Sequence, residues 1–189
     1  MTNYAKTSSS ETVERNPRLK RKMHRFGMVM FIASQLVPLV VLMDMRYLVA
    51  GGYVPTSAPQ LTGLVIALLM ALSLILGWRV RTKATHREDR TGLLKGVFLL
   101  GLISIVLTFY QWSLRIVATS GRFGEIYYTM TGFAVFYGVV GIIALLSAVS
   151  RTRFIDSEDD DYWHVEAVSL LWSGIAAIWL FTYIWLFLF

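Results

Sequence analysis

Five long apolar stretches dominate this chain, at 26–50, 61–80, 93–118, 126–150 and 165–188. Each holds about 20 to 26 residues, enough for a helix rising ~1.5 Å per residue to cross the ~30 Å hydrocarbon core of a bilayer. Hydrocarbon offers the backbone no hydrogen bonds, so such a segment must pair its own N–H and C=O groups, and that makes it a helix. The expected fold is an all-α membrane protein: a five-helix transmembrane bundle over 26–189, preceded by a polar, basic tail at 1–25. Charged residues make up 16% of the chain, against ~25% in an ordinary soluble domain, which sets a soluble enzyme aside. The tail reads as uncleaved, because the apolar run after it exceeds the ~7–15 residues of a signal core. A short interfacial helix is expected near 17–25. Pro38 should kink the first span, whereas Pro55 and Pro59 fall in the loop after it.

Charge gives the orientation. Fifteen of the 18 Lys and Arg residues lie in the tail, around the loop between spans two and three, or in the loop between spans four and five. Arg46, Arg115 and Arg122 make up the other side. This bias places the N-terminus in the cytoplasm and the C-terminus outside. The basic cluster Arg18-Leu19-Lys20-Arg21-Lys22 is then a juxtamembrane anchor at anionic lipid rather than a nucleic-acid patch. Arg79, Arg81 and Lys83 are candidates for lipid headgroup contact on the same side.

The chain offers little for catalysis. It has no cysteine, which excludes disulfides, iron–sulfur clusters and thiolate-bound metals. Its three histidines, His24, His86 and His164, do not fall on facing spans, so a bis-histidine haem is not supported. No nucleophile–base set or phosphate loop stands out. The acidic run at 156–161 lacks the alternating ligands and central glycine of a calcium loop and reads as a solvated turn. No catalytic or metal-ligating residue is therefore expected, and no cofactor in this chain.

What the spans do carry is packing chemistry. Small residues recur four apart, as at Gly63, Ala67 and Ala71, at Gly92 and Gly96, at Ala134 and Gly138 with Gly141 beyond, and at Ser173 and Ala177. In lipid such residues let helix backbones approach closely. Most should pack the bundle, with at least one face free for a partner. Trp172, Trp179, Tyr183 and Trp185 load the last span with aromatic side chains that suit interface anchoring. Asp44 and Arg115 are expected to pair near the outer surface. Glu166 suits the first turn of the last helix, where the dipole favours a carboxylate. Ser34, Gln35, Ser104, Thr108 and Gln111 could line a polar path, but hydrogen bonds between spans one and three explain them more simply.

Four segments, in order, resemble subunit III of the haem-copper terminal oxidases in its five-helix bacterial form. Arg25-Phe26-Gly27-Met28 leading to Phe31-Ile32-Ala33-Ser34-Gln35 is similar to that family's opening run, which ends in Phe-x-Ala-Ser-Glu. The stretch from Arg90 to Gln111 and Trp112 resembles its basic turn and glycine-containing helix. Tyr127-Tyr128-Thr129-Met130-Thr131-Gly132-Phe133 resembles its aromatic Thr-Gly-Phe segment, and Tyr162-Trp163-His164-Val165-Glu166 through Trp172 its closing Tyr-Trp-His motif. There are departures. Gln35 stands where the family usually has Glu. Ala134 and Tyr137 stand where it has His, and the final Asp is shifted and replaced by Glu166. An amide does not ionise, so a proton-related role on the first helix is not carried over, whereas a packing role is.

The resemblance implies a non-catalytic accessory subunit in aerobic electron transport. It would sit in the bacterial cytoplasmic membrane against a catalytic subunit I that carries haem and copper, with other subunits and bound phospholipid as further partners, and no nucleic acid. Two alternatives remain: a subunit-III-like accessory protein of a nitric oxide reductase, and a small five-helix transporter.

Overall fold

The computed structural model describes residues 17–51, 54, 59–86, 91–119, 121–151 and 163–188. The acidic run at 156–161 lies outside them. The chain forms five helices: α1 Pro17–Ala50, α2 Gln60–His86, α3 Thr91–Ser113, α4 Arg122–Arg151 and α5 Trp163–Phe187. All five are long and apolar enough to cross a membrane.

The helix ends follow local chemistry. Pro17 opens α1, where its missing N–H is no loss. The helix does not pause at the expected boundary near Arg25. The Lys and Arg residues there are good helix formers, and nothing between Arg25 and Phe26 breaks the helix, so residues 17–25 and the span form one continuous helix with Pro38 inside it. Gly51 closes α1 at φ +59°, a left-handed cap in which its N–H donates to Tyr47 O at 3.1 Å.

Helix α3 stops at Ser113, short of the expected 118. The physical reason is Arg115, whose φ of 48° is left-handed and cannot continue a right-handed helix. Its N–H donates to Trp112 O at 3.2 Å in a tightened last turn. The chain then folds back so closely that a Cβ on Gly124 would lie 1.9 Å from the carbonyl oxygen of Ala118. That oxygen belongs to backbone and cannot rotate away. Gly124→Ala is therefore expected to cost about 1–3 kcal/mol as an overpacking substitution. Detergent-titrated unfolding of the purified chain checks this; unchanged stability would show that the 114–121 turn gives way freely.

In the bundle α5 takes the centre, packing against α1, α2 and α4, while α3 fills the other side between α2 and α4. Helix α1 touches only α4 and α5 and is the least buried. Trp172, fully buried, holds the middle. Its indole reaches from α5 towards α3 and α4, where an added Cβ on Gly101 or Gly141 would meet it at 2.3 or 2.8 Å. Its Nε1 donates to Ser73 Oγ of α2 at 2.6 Å. One turn before it, Ser169 Oγ donates to Gly77 O of α2 at 2.9 Å.

Of the small residues singled out in the sequence, Gly63 and Gly138 lie at close approaches, whereas Gly92 faces open space. A Cβ on Gly63 would meet Phe187 at 2.9 Å, and one on Gly138 would meet Ile105 at 3.1 Å and Trp179 at 3.4 Å. Ala67 and Ala134 are buried. The face of α4 carrying Ala134, Gly138 and Gly141 looks into the bundle, so a bulky side chain there acts on the fold itself before it acts on any partner.

Candidate functional site

In a bundle whose spans are almost wholly apolar, polar side chains mark the places to look. They gather in three tiers. The first lies at the end where α1 and α5 begin and α2 finishes. Glu166, 3% exposed in the first turn of α5, accepts a charge-assisted bond from Arg25 Nε of α1 at 3.0 Å, with Arg81 Nε of α2 at 4.0 Å. The carboxylate thus ties three helices. His164, buried beside it, shares this end, and His24 is exposed there. Arg79 is exposed one turn up α2, and the side chain of Lys83 lies outside the described residues.

The second tier is midway along α1. Gln35 Nε2 donates to Ser34 Oγ at 2.9 Å, and Gln35 Oε1 accepts a hydrogen bond from Tyr137 OH of α4. Phe133 packs on the Tyr137 ring at 4.7 Å between centroids. Gly132 has open space where a Cβ would be.

The third tier lies near the opposite end. Tyr127 OH of α4 donates to Gln111 Oε1 of α3 at 3.2 Å, and Trp112 Nε1 donates to Thr131 Oγ1 at 3.2 Å. The polar residues of spans one and three therefore do not bond each other as expected. Helices α1 and α3 do not pack, and each turns its amide to a tyrosine of α4 instead. Closer to this end, Arg46 is fully buried. Its Nη2 donates to Leu186 O at 3.4 Å, and its guanidinium lies 5.7 Å from the Tyr47 ring centre. The last carbonyls of α5 carry the negative end of its dipole, which favours a cation there. Among the described residues no ion pair joins Asp44 to Arg115; both are exposed. The charge that goes inside is Arg46, which the sequence pattern did not separate from its neighbours.

Among the described residues no group of three His, Asp or Glu side chains could hold a metal ion. What the tiers can do chemically is tie helices together in a medium that offers no competing hydrogen bonds.

No protein-family model matches the chain. It is, however, 30% identical over 161 residues to cytochrome c oxidase subunit 3 of Pyricularia grisea, an alignment covering 82% of this chain and 57% of that protein. It is 24% identical to the subunit 3 of Locusta migratoria over 178 residues and to that of Pongo abelii over 175. These alignments cover 85% of this chain and 66% and 67% of the relatives. Along most of its length the chain is thus similar to subunit 3 of cytochrome c oxidase. It spans between about half and two thirds of the length of the relatives it matches.

Within the subunit III frame the departures acquire a geometry. Gln35 and Tyr137, on helices α1 and α4, replace the Glu and the second His of the family pattern, and the structure brings them into direct contact. Arg25 and Glu166, from the first and last of the four resembling segments, also meet. Trp172, the end of the closing motif, is the residue on which α2, α3 and α4 converge, a role its place among many aromatic residues concealed.

Proposed function

We propose that this chain is the accessory, non-catalytic subunit III of a respiratory haem-copper oxidase in a bacterial cytoplasmic membrane. It would pack against the subunit that holds haem and copper and stabilise the complex. The single observation that carries the reading is the likeness to cytochrome c oxidase subunit 3 along 82% of the chain. The site geometry supports it, since the inter-helix polar contacts join one helix to another. The excess of Lys and Arg on the tail side supports a cytoplasmic N-terminus. Arg79 and Arg81 then stand at the inner headgroup level, where phospholipid phosphates would meet them.

Pull-down of the tagged chain in mild detergent, with an absorption spectrum and mass spectrometry of what accompanies it, tests the proposal. A haem-bearing catalytic subunit is the expected companion, and deleting this chain is expected to leave the haem spectrum of the complex intact while shortening its working lifetime. A colourless, partner-free protein would overturn the reading. The haem type of the companion separates an oxidase from a nitric oxide reductase. A transporter would need a continuous polar path, whereas Gln35 and Gln111 accept from separate tyrosines of α4 and the hydroxyls of Ser34, Ser104 and Thr108 donate to carbonyls of their own helices.

A further inference from the structure

Near the Arg46 end the bundle encloses polar groups that the fold leaves unpaired. Helices α2, α3, α4 and α5 surround a cavity of about 30 Å³. Gln111 of α3 and Trp179 and Thr182 of α5 line it, and the Nε2, Nε1 and Oγ1 atoms of these residues make no hydrogen bond to the protein. These residues are 6%, 6% and 3% exposed, so neither water outside nor a lipid headgroup reaches them. Three such orphans at one spot inside an apolar span would each cost several kcal/mol in hydrocarbon.

Their chemistry names what would satisfy them. All three carry N–H or O–H donors. The acceptor oxygen of Gln111 already takes the Tyr127 hydroxyl. The hydroxyls of Thr108 and Thr131, also in the lining, donate to the carbonyls of Ser104 and Tyr127 on their own helices. The cavity therefore holds a surplus of donors and needs lone pairs. An acyl chain has none. An anion would call for a cation, and no residue of the lining is charged. Water offers two lone pairs, and its two hydrogens return a bond to Thr182 Oγ1 or to a second water. A cavity of this size admits about two waters, each wanting 2–4 polar partners.

We propose that the cavity is a buried water site, holding a hydrogen-bonded pair of water molecules that accept from Gln111, Trp179 and Thr182. The pair fastens α3 to α5, two helices whose backbones do not approach one another and which otherwise meet through the Trp172 ring. This inference does not depend on the oxidase reading.

Hydroxyl-radical labelling by X-ray radiolysis of the detergent-purified full chain, alone or with its companions, tests it, because bound water generates radicals where it sits. Residue-resolved mass spectrometry then compares two tryptophans of the same helix. Trp172 is fully buried, with its Nε1 paired to Ser73, and serves as the dry control. Trp179 is expected to be oxidised at least about tenfold faster than Trp172 if water sits against its indole. Oxidation of Trp179 no faster than Trp172 would overturn the proposal. Ala67→Leu, which extends a side chain of the lining into the cavity, is expected to bring Trp179 down to the level of Trp172. Undiminished labelling in a folded Ala67→Leu chain would also overturn it. Should that variant fail to accumulate, the comparison within the unaltered chain decides alone.

Discussion

Trp172→Ala is expected to lower the stability of the bundle by about 3 kcal/mol, roughly a hundredfold in the ratio of folded to unfolded chain. In a water-soluble core the same truncation costs about 3–5 kcal/mol. Part of that is transfer from water, which has no counterpart where an unfolded span still sits in lipid or detergent. What remains is the void and the lost dispersion contacts, and here both are large. The indole is fully buried, and the nearest atoms to an added Cβ on Gly101 are its own, at 2.3 and 2.4 Å. Truncation also strands the Ser73 hydroxyl, which now accepts from Nε1 at 2.6 Å. A hydrogen bond inside a membrane protein contributes about 0.6 kcal/mol on average, so Trp172→Phe, which keeps a ring and loses the donor, is expected to cost nearer 1 kcal/mol.

The contact makes a stronger claim than its size. Gly101→Ala is expected to destabilise the chain on its own but to cost much less in the Trp172→Ala background, where its methyl enters the void. Residues in contact are non-additive in this way, and distant ones are not. Unfolding by titration with a denaturing detergent, measured for both single variants and the double, decides it. Additive effects would mean that α3 and α5 do not meet through this ring.

Most of the architecture was legible because lipid simplifies the reading. A stretch such as 126–150 has only one way to satisfy its backbone in hydrocarbon, and α4 forms there, extended to Arg122–Arg151. Helix ends were harder, since they depend on single residues. Nothing in Ser113-Leu114-Arg115 announces a left-handed arginine, and the helix ends at Ser113, five residues before the apolar pattern does. Pairing between helices was least legible. The sequence shows that Gln35, Gln111, Tyr127 and Tyr137 are polar residues at membrane depth, but not that α1 and α3 both bond to α4. That follows from which helices touch, and helices about equally apolar on all sides give no face to read. Arg46 illustrates the same limit: spacing places it near Asp44, and only the packing of α5 shows which of the two goes inside.

At the opposite end, Arg25→Gln is expected to cost about 1–3 kcal/mol, and more than Glu166→Gln. The asymmetry comes from burial. The Glu166 side chain is 3% exposed and the Arg25 side chain 47%. Removing the arginine takes the 3.0 Å charge partner from a buried carboxylate, with Arg81 Nε farther off at 4.0 Å. Removing the carboxylate's charge leaves two arginines that already reach water, at 47% and 33% exposure. The figure stays below the ~3–5 kcal/mol for breaking a fully buried pair because Arg25 is half in solvent, where its charge is screened. A double-mutant cycle with both glutamine variants, read by denaturing-detergent unfolding, isolates the coupling. A coupling near zero would show that Arg25 adds nothing to a carboxylate that the first turn of α5 already favours. A clear coupling would mean that the first and last segments of the subunit III resemblance hold each other. Arg25 opens one and Glu166 lies within the other, and between them they fasten the least buried helix of the bundle to its centre.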